Sequence, residues 1–288
     1  MHTLNPNHQR TPVVLNSLIW LLVVALYFQS FWKLYRVRWD LLDYTHAFFI
    51  LPVSIGLVWL KRKEIKPYIS VTLQDTNYSG LFLLFFGITI FIFGSRFDYA
   101  SVTAFSLIPL LFGMSIFLYG TKMAKMLSFP ILYLLLLVPP PMGIIDSLTL
   151  PMRYGISNLA EQLLSIMNYP ITRDGLLLTI GYTDIFMGQP CSGFRSLITL
   201  FSLGLVYVYL SKANLSSKLI LILCVIPLAL FGNLIRVIIL CLITFYFGEE
   251  VGQGFFHNFS GIVMFIITII GLICIEALLN KIQFRKQT

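Results

Sequence analysis

Three residues whose side chains can carry out acyl-transfer chemistry lie in the C-terminal half of the chain: Cys191, Arg236 and His257. A thiol with an ordinary pKa of about 8.5 is mostly protonated at neutral pH, and a neighbouring cation or imidazole raises its thiolate fraction. A histidine can take the thiol proton and return it to a leaving amine. An arginine can bind an oxyanion or a carboxylate through forked donors. This combination indicates acyl transfer or peptide cleavage.

The composition places these residues in a membrane protein. Of 288 residues, 58% are hydrophobic and 11% are charged, and the mean hydropathy is +0.86. A soluble domain carries roughly 25% charged residues, so a soluble enzyme is excluded. The net charge of +8 comes mainly from basic residues that flank apolar runs. No basic patch is interleaved with aromatic residues, so nucleic acid is not an expected partner.

Stretches free of Asp, Glu, Lys and Arg predict eight transmembrane helices. The expected fold is an all-α polytopic membrane protein, with residues 1–288 as a single integral membrane domain. The seventh span is interrupted by Arg236 and is either one kinked helix or two short ones. The eight spans cover residues 11–32, 44–60, 76–95, 99–121, 126–145, 196–211, 219–248 and 251–275.

The distribution of basic residues predicts the orientation. With the N-terminus in the cytoplasm, twelve Lys and Arg residues fall in inside segments and six in outside segments. The excess inside predicts that both termini are cytoplasmic. The first apolar run has no small-residue cleavage site, which predicts a retained first span rather than a signal peptide.

The outer loop, residues 139–190, is the only sizeable segment predicted outside the membrane. Its first part predicts an amphipathic helix in the membrane interface, with Pro151 in its first turn. Its second part predicts a small β element, with turns at Asp174-Gly175 and at 181–184. The apolar face of the helix consists of Met152, Ile156, Leu159, Leu163 and Ile166, and the opposite face of Ser157, Asn158, Glu161 and Gln162.

The three candidate residues fall at a similar depth in the predicted bundle. At about 1.5 Å per residue, Arg236 lies about 27 Å from Lys218, Cys191 about 32 Å from Lys212, and His257 about 36 Å from Lys281. The hydrocarbon core is about 30 Å thick, so all three lie near its outer boundary. Successive antiparallel helices pack side by side, so the three residues can meet.

Neither a metal nor another cofactor is expected. The remaining cysteines, Cys224, Cys241 and Cys274, lie in apolar runs, where cysteine usually serves as a small hydrophobe. There is no CxxC pair. The histidines His46 and His257 have no carboxylate partner at ligand spacing.

Three motifs occur in order in the C-terminal half of the chain, "PCSGFRSL", "IPLALFGNLIRV" and "FFHNFSG", and "DYTHAFFILPVSIGLVWLKRK" precedes them at residues 43–63. Together these segments resemble the exosortase/archaeosortase family of polytopic membrane proteins. The resemblance extends from about residue 40 to about residue 280 and rests on the order and spacing of the motifs.

The resemblance implies a cysteine transpeptidase-like enzyme of the bacterial cytoplasmic membrane. Its expected partners are membrane-anchored proteins with a C-terminal sorting signal, which consists of a motif such as Pro-Glu-Pro, a transmembrane helix and a basic tail. Cleavage is expected at the outer face. The resemblance carries the nucleophile over to Cys191, the cation to Arg236 and the proton-transfer role to His257.

Five further residues are candidates for supporting the site. Ser192 and Gly193 allow a tight turn and amide donors at a helix N-terminus, although Gly193 fits close helix packing equally well. Arg195 binds a carboxylate or a lipid phosphate, or anchors its helix in the interface. Asn233 orients Arg236 from one turn away, or bonds to another helix. His46 opens the second span on the same side and ranks below His257.

Two other functions remain open from the sequence. A transporter using Arg236 to bind its substrate predicts further polar residues along a central path, and the spans offer few. A non-catalytic component of polysaccharide export predicts that Cys191 is dispensable. A disulfide-exchange protein would need a second external cysteine, which the sequence lacks.

Overall fold

The chain folds mainly into helices, in agreement with the predicted class. The computed structural model describes residues 6–36, 47–69, 78–139, 144–186, 194–248, 250–251 and 255–287. The helices are α1 (Pro6–Leu34), α2 (Ala47–Leu60), α3 (Arg62–Ile69), α4 (Ser79–Arg96), α5 (Ala100–Phe105), α6 (Leu107–Met126), α7 (Ser128–Tyr133) with a 3-10 turn (Leu134–Leu137), α8 (Ile144–Ile166), α9 (Phe194–Leu210), α10 (Leu215–Phe247) and α11 (Phe255–Gln287). Three strands, β1 (Ile171–Asp174), β2 (Leu177–Ile180) and β3 (Thr183–Phe186), separate α8 from α9.

Five stretches of the described chain are helical, long and apolar enough to cross a membrane. They are Ser17–Leu34, Ser79–Arg96, Ala100–Met126, Leu215–Phe247 and Phe265–Ile282. Three shorter apolar helices, Ala47–Leu60, Ser128–Leu137 and Ile198–Leu210, lie where the other predicted spans were expected. The multi-pass architecture is therefore present, but the count of eight spans is not confirmed.

The chain forms two compact units, Met1–Pro140 and Pro141–Thr288. In the first unit, α4 packs closely against α5 and α6 through glycines spaced seven residues apart. A Cβ at Gly80 would lie 2.6 Å from the Phe117 amide nitrogen, and one at Gly87 would lie 2.7 Å from that of Leu110. Small residues allow helix backbones to approach each other in a membrane, and these glycines do so here.

In the second unit, α10 is one continuous helix of 33 residues, with Pro227 inside it. This result decides between the one-helix and two-helix interpretations of the seventh span. Asn214 caps its N-terminus by accepting a hydrogen bond from the Ser217 amide at 3.3 Å. The helix is about 50 Å long, which exceeds a hydrocarbon core of about 30 Å.

The predicted β element is an antiparallel sheet with the order β1-β2-β3. Asp174 pairs with Leu177 and Ile180 with Thr183, so each hairpin has a two-residue loop. Each loop begins with a glycine at φ +61°, Gly175 in the first and Gly181 in the second. A positive φ at the first loop position favours glycine and matches the strand twist, which is why the turns form here.

The predicted amphipathic helix forms as α8, most of its predicted apolar face lies outside the protein core, and its position in the membrane interface stays a prediction. Pro151 lies inside the helix rather than in its first turn. Of the predicted apolar face only Ile156 is buried, whereas Leu159, Leu163 and Ile166 are exposed. Ser157, assigned to the polar face, is fully buried with Ala160 and Leu164. The face of α8 that joins the core thus combines the large residues Ile156 and Leu164 with Ser157 and Ala160, whose small side chains allow close packing.

Candidate functional site

Arg236 and Asn233 form the polar centre of the second unit. Arg236 is 7% exposed and Asn233 is 3% exposed. The two residues are one turn apart on α10, on the side that carries the buried residues Val237 and Leu240. The Asn233 Oδ1 atom accepts no hydrogen bond from the residues that the structure describes. A buried amide oxygen without a donor costs free energy, so this acceptor suits a bound group with an N–H.

Contacts between α9 and α10 show which level of α10 the first residue of α9 reaches. A Cβ at Gly204 would lie 2.7 Å from Val225 Cγ2, so these residues face each other. Leu200 shares a small core cluster with Ala229. Residue numbers therefore rise along α9 as they fall along α10. Continuing this register by six residues beyond the contact of Leu200 with Ala229 brings Phe194, the first residue of α9, to the level of about residue 235.

Helix α11 also runs antiparallel to α10, and two contacts relate residue positions on the two helices. Leu228 Cδ2 would lie 2.7 Å from a Cβ at Gly271, and Phe265 packs on the cluster of Leu200 and Ala229. Counting from these two contacts, the backbone of His257 lies between about 2 and 9 Å from Arg236 along the helix axis. The helix carrying His257 thus begins close to the level of Arg236.

The structure describes only part of the set chosen from the sequence. Cys191, Ser192, Gly193 and His46 lie outside the described residues. Arg195 is the second residue of α9 and His257 the third of α11, and both are placed as backbone only. Cys191 precedes Phe194 by three positions. The catalytic roles of Cys191, Arg236 and His257 therefore remain predictions.

Helix α10 continues beyond Arg236 and carries the sheet. Val237, Leu240 and Cys241 form one apolar core with residues of α8 and of the three strands. At its C-terminal end, the Tyr169 ring meets the Phe245 ring edge-on, with centroids 5.5 Å apart. The Tyr169 hydroxyl is 3.0 Å from that of Tyr246, and this hydrogen bond raises the pKa of Tyr169 above its usual value near 10. The sheet is thereby fixed to the same helix that positions Arg236.

Two polar features of this unit were missed in the sequence. Arg153 was counted as a loop charge, but it is 8% exposed on α8, and its Nη2 donates to Thr149 Oγ1 at 3.0 Å. The signal was its helical spacing from the small residues Ser157 and Ala160. Tyr207 of α9 and Ser211, the residue that follows α9, both donate to the Glu276 carboxylate of α11. Their spacing of four residues, about one helical turn, was the available signal.

The remaining cysteines agree with the sequence interpretation. Cys224, Cys241 and Cys274 are free thiols, and Cys241 is buried in the apolar core. Within the described ranges, no group of three His, Cys, Asp or Glu residues is arranged to hold a metal ion.

The membrane-length helices and the buried arginine define a multi-pass membrane protein with a polar centre in one helix bundle. Residues 39–274 match the family model described as transmembrane exosortase. This match covers most of the chain, and the chain belongs to the transmembrane exosortase family. No curated protein and no solved structure matches it.

Proposed function

We propose that this chain is a cysteine peptidase or transpeptidase that cleaves C-terminal sorting signals of membrane-anchored proteins. The observation that carries the proposal is the depth of Arg236. Its guanidinium is buried in α10 at the level where α9 begins, three positions after Cys191. A buried charge within a span is expensive, and such residues are usually retained for function.

The proposed reaction follows from the three side chains. The Cys191 thiolate attacks the carbonyl carbon of the scissile peptide, and Arg236 stabilises the resulting oxyanion with its N–H donors. His257 holds the thiol proton and delivers it to the leaving amine as the C–N bond breaks. The product is a thioester on Cys191. Water or an amine then attacks this thioester, which returns the proton to the thiol and releases the processed protein.

The membrane orientation is part of the same proposal. Positive charges predict that both termini are cytoplasmic, which puts the N-terminal end of α9 on the outer side of the bacterial cytoplasmic membrane. Helix α10 is about 50 Å long, so its last turns extend beyond the hydrocarbon core together with the sheet. A substrate with a transmembrane helix would present its signal motif at this boundary.

The test compares variants on one substrate in cells. A reporter with a Pro-Glu-Pro-type C-terminal signal is scored by gel shift, with Cys191→Ala, Arg236→Ala and His257→Ala at matched membrane levels. Cys274→Ala is the matched control, since Cys274 is an exposed thiol of α11. Loss of processing in the three variants, with full processing in the control, is the expected result. Full processing by Cys191→Ala would replace this proposal with a non-catalytic role in polysaccharide export.

A further inference from the structure

A second buried arginine lies at the depth of Arg236, on a different helix. The C-terminal ends of α8 and α10 meet, because Tyr169, whose amide donates to the Leu164 carbonyl, packs on Phe245. From this meeting point the two helices run back side by side. Their contact is a shared apolar core to which α8 contributes Ile156, Ala160 and Leu164, and α10 contributes Val237, Leu240 and Cys241.

Counting back from the meeting point gives the depth of each polar side chain. Arg153 lies 13 residues before Ile166, the last residue of α8, or about 20 Å. Asn233 lies 12 residues before Phe245, or about 18 Å, and Arg236 lies 9 residues before it, or about 14 Å. Arg153 is therefore level with Asn233, and within about 6 Å of Arg236 along the axis.

The three side chains also share one interface. Arg153 is on the face of α8 that carries Ile156, Ser157 and Ala160, and that face packs on α10. Asn233 and Arg236 occupy the face of α10 that carries Val237 and Leu240. The polar residues thus lie next to the apolar core, on its side toward the N-terminal ends of α8 and α10.

The chemistry of this shelf, consisting of Arg153, Asn233 and Arg236, matches one kind of ligand. Two guanidinium groups favour groups with anionic oxygens, such as a carboxylate and a developing oxyanion, and each can bind one through forked donors. The Asn233 Oδ1 acceptor, which lacks a donor among the described residues, favours an N–H group. A peptide segment with an acidic side chain presents both groups together, whereas the anionic lipid phosphatidylglycerol has a phosphate but no N–H group.

We propose that Arg153 is a specificity-determining residue that binds an acidic side chain of the peptide substrate, beside Asn233 and Arg236. This inference rests on the proposed function, because it assumes a peptide substrate at Arg236. It assigns Arg236 to the reacting carbonyl and Arg153 to recognition of a neighbouring carboxylate.

The test measures binding without turnover. Full-length Cys191→Ala protein in phosphatidylcholine nanodiscs is titrated with a fluorescent peptide containing Pro-Glu-Pro, and with peptides in which the glutamate is Gln or Lys. Binding of the glutamate peptide is expected to be about 30-fold or more tighter than that of the Gln peptide. Adding Arg153→Gln should abolish this preference. Arg173→Gln is the matched control, since it removes a partly exposed ion pair with Glu161 in the same unit and should change the affinity by about two-fold or less.

Several results would overturn the proposal. These are no binding of any peptide, equal binding of the Glu and Gln peptides by protein with Arg153 intact, or an equal loss for both peptides in Arg153→Gln. The Glu/Gln comparison needs no change at Arg153 and so is independent of any folding defect. Nanodiscs with one quarter phosphatidylglycerol test the lipid alternative, and selective loss of that lipid from Arg153→Gln without a peptide-charge effect would assign the shelf to lipid.

The two proposals can fail separately. If binding depends on Arg153 and on peptide charge but Cys191→Ala still processes the cellular reporter, the site binds peptides and the catalytic proposal is wrong. If processing requires Cys191 but binding ignores peptide charge, the catalytic proposal holds and the role of Arg153 is wrong.

Discussion

Gly204 of α9 faces Val225 of α10 so closely that a Cβ on the glycine would lie 2.7 Å from Val225 Cγ2 and 2.9 Å from Cγ1. This contact sets the register that brings the start of α9 to the level of Arg236. The alignment of the proposed catalytic elements therefore depends on the absence of a side chain at residue 204.

Replacing Gly204 by alanine should separate α9 from α10. Val225 is β-branched and has one preferred rotamer in a helix, so its methyl groups cannot easily move away. We expect a loss of about 1–3 kcal/mol in the free energy of unfolding and reduced reporter processing. Unfolding in detergent and the gel-shift assay measure the two effects.

The Gly204 prediction has a rescue and a control. Adding Val225→Ala removes both clashing methyl groups and should recover processing relative to Gly204→Ala alone. Gly155→Ala should leave processing intact, since no atom lies within 4 Å of a Cβ built there. If Gly204→Ala behaves like Gly155→Ala, the register does not depend on this contact.

In the first unit, Gly87→Ala should destabilise more than Gly204→Ala. The new Cβ would lie 2.7 Å from the backbone nitrogen of Leu110, and a backbone cannot rotate out of the way as a side chain can. We expect a loss of about 3 kcal/mol. The measurement is thermal unfolding of the purified protein. Gly56→Ala on α2 has open space around its Cβ and serves as control; equal melting temperatures for the two variants would contradict the close packing of α4 and α6.

Arg236→Lys should fail to replace arginine in catalysis. Lysine keeps the charge but lacks the planar fork that can bind an oxyanion through two N–H groups. We expect Arg236→Ala to lower the processing rate about 100- to 1,000-fold, the usual cost of an oxyanion donor, and Arg236→Lys to recover only a small part. Single-turnover measurements on membranes give the chemical rate. A lysine variant with the wild-type rate would mean that charge alone is required.

Glu276→Gln should loosen the contact between α9 and α11. The carboxylate of Glu276 accepts hydrogen bonds from both Tyr207 and Ser211, and hydrogen bonds to charged groups contribute about 1.5–3 kcal/mol each. We expect a loss of about 1–3 kcal/mol in the free energy of unfolding. Glu250→Gln, at an exposed position, should have almost no effect. Additive effects of Glu276→Gln and Tyr207→Phe would show that the hydrogen bond contributes little.

Local signals explain the parts of the fold that the sequence predicted well. The two hairpins were predictable because Gly175 and Gly181 occupy loop positions with positive φ. Arg236 was conspicuous as a charge in an apolar run, and the structure places it in the buried face of α10. Both signals depend on one or two residues and not on how distant elements pack.

Other features depend on packing that hydropathy does not encode. The predicted span 126–145 ends early, because Val138 precedes Pro139 and adopts an extended conformation, with φ −83° and ψ 109°. The face of α8 that packs in the core was not predicted, because hydropathy marked large apolar residues of which only Ile156 is buried. The small residues Ser157 and Ala160 pack beside it. The register of α9 against α10 follows from the close approach of Gly204 and Val225, which no periodicity reveals.

The unbroken course of α10 has a mechanical consequence. Proline removes one backbone hydrogen bond from a helix, so the joint where α10 can bend most easily is at Pro227. Arg236 and Phe245, which contacts Tyr169 just before β1, both lie on the C-terminal side of this joint. Bending of α10 at Pro227, nine residues before Arg236, would therefore move the Arg236 guanidinium and the sheet together.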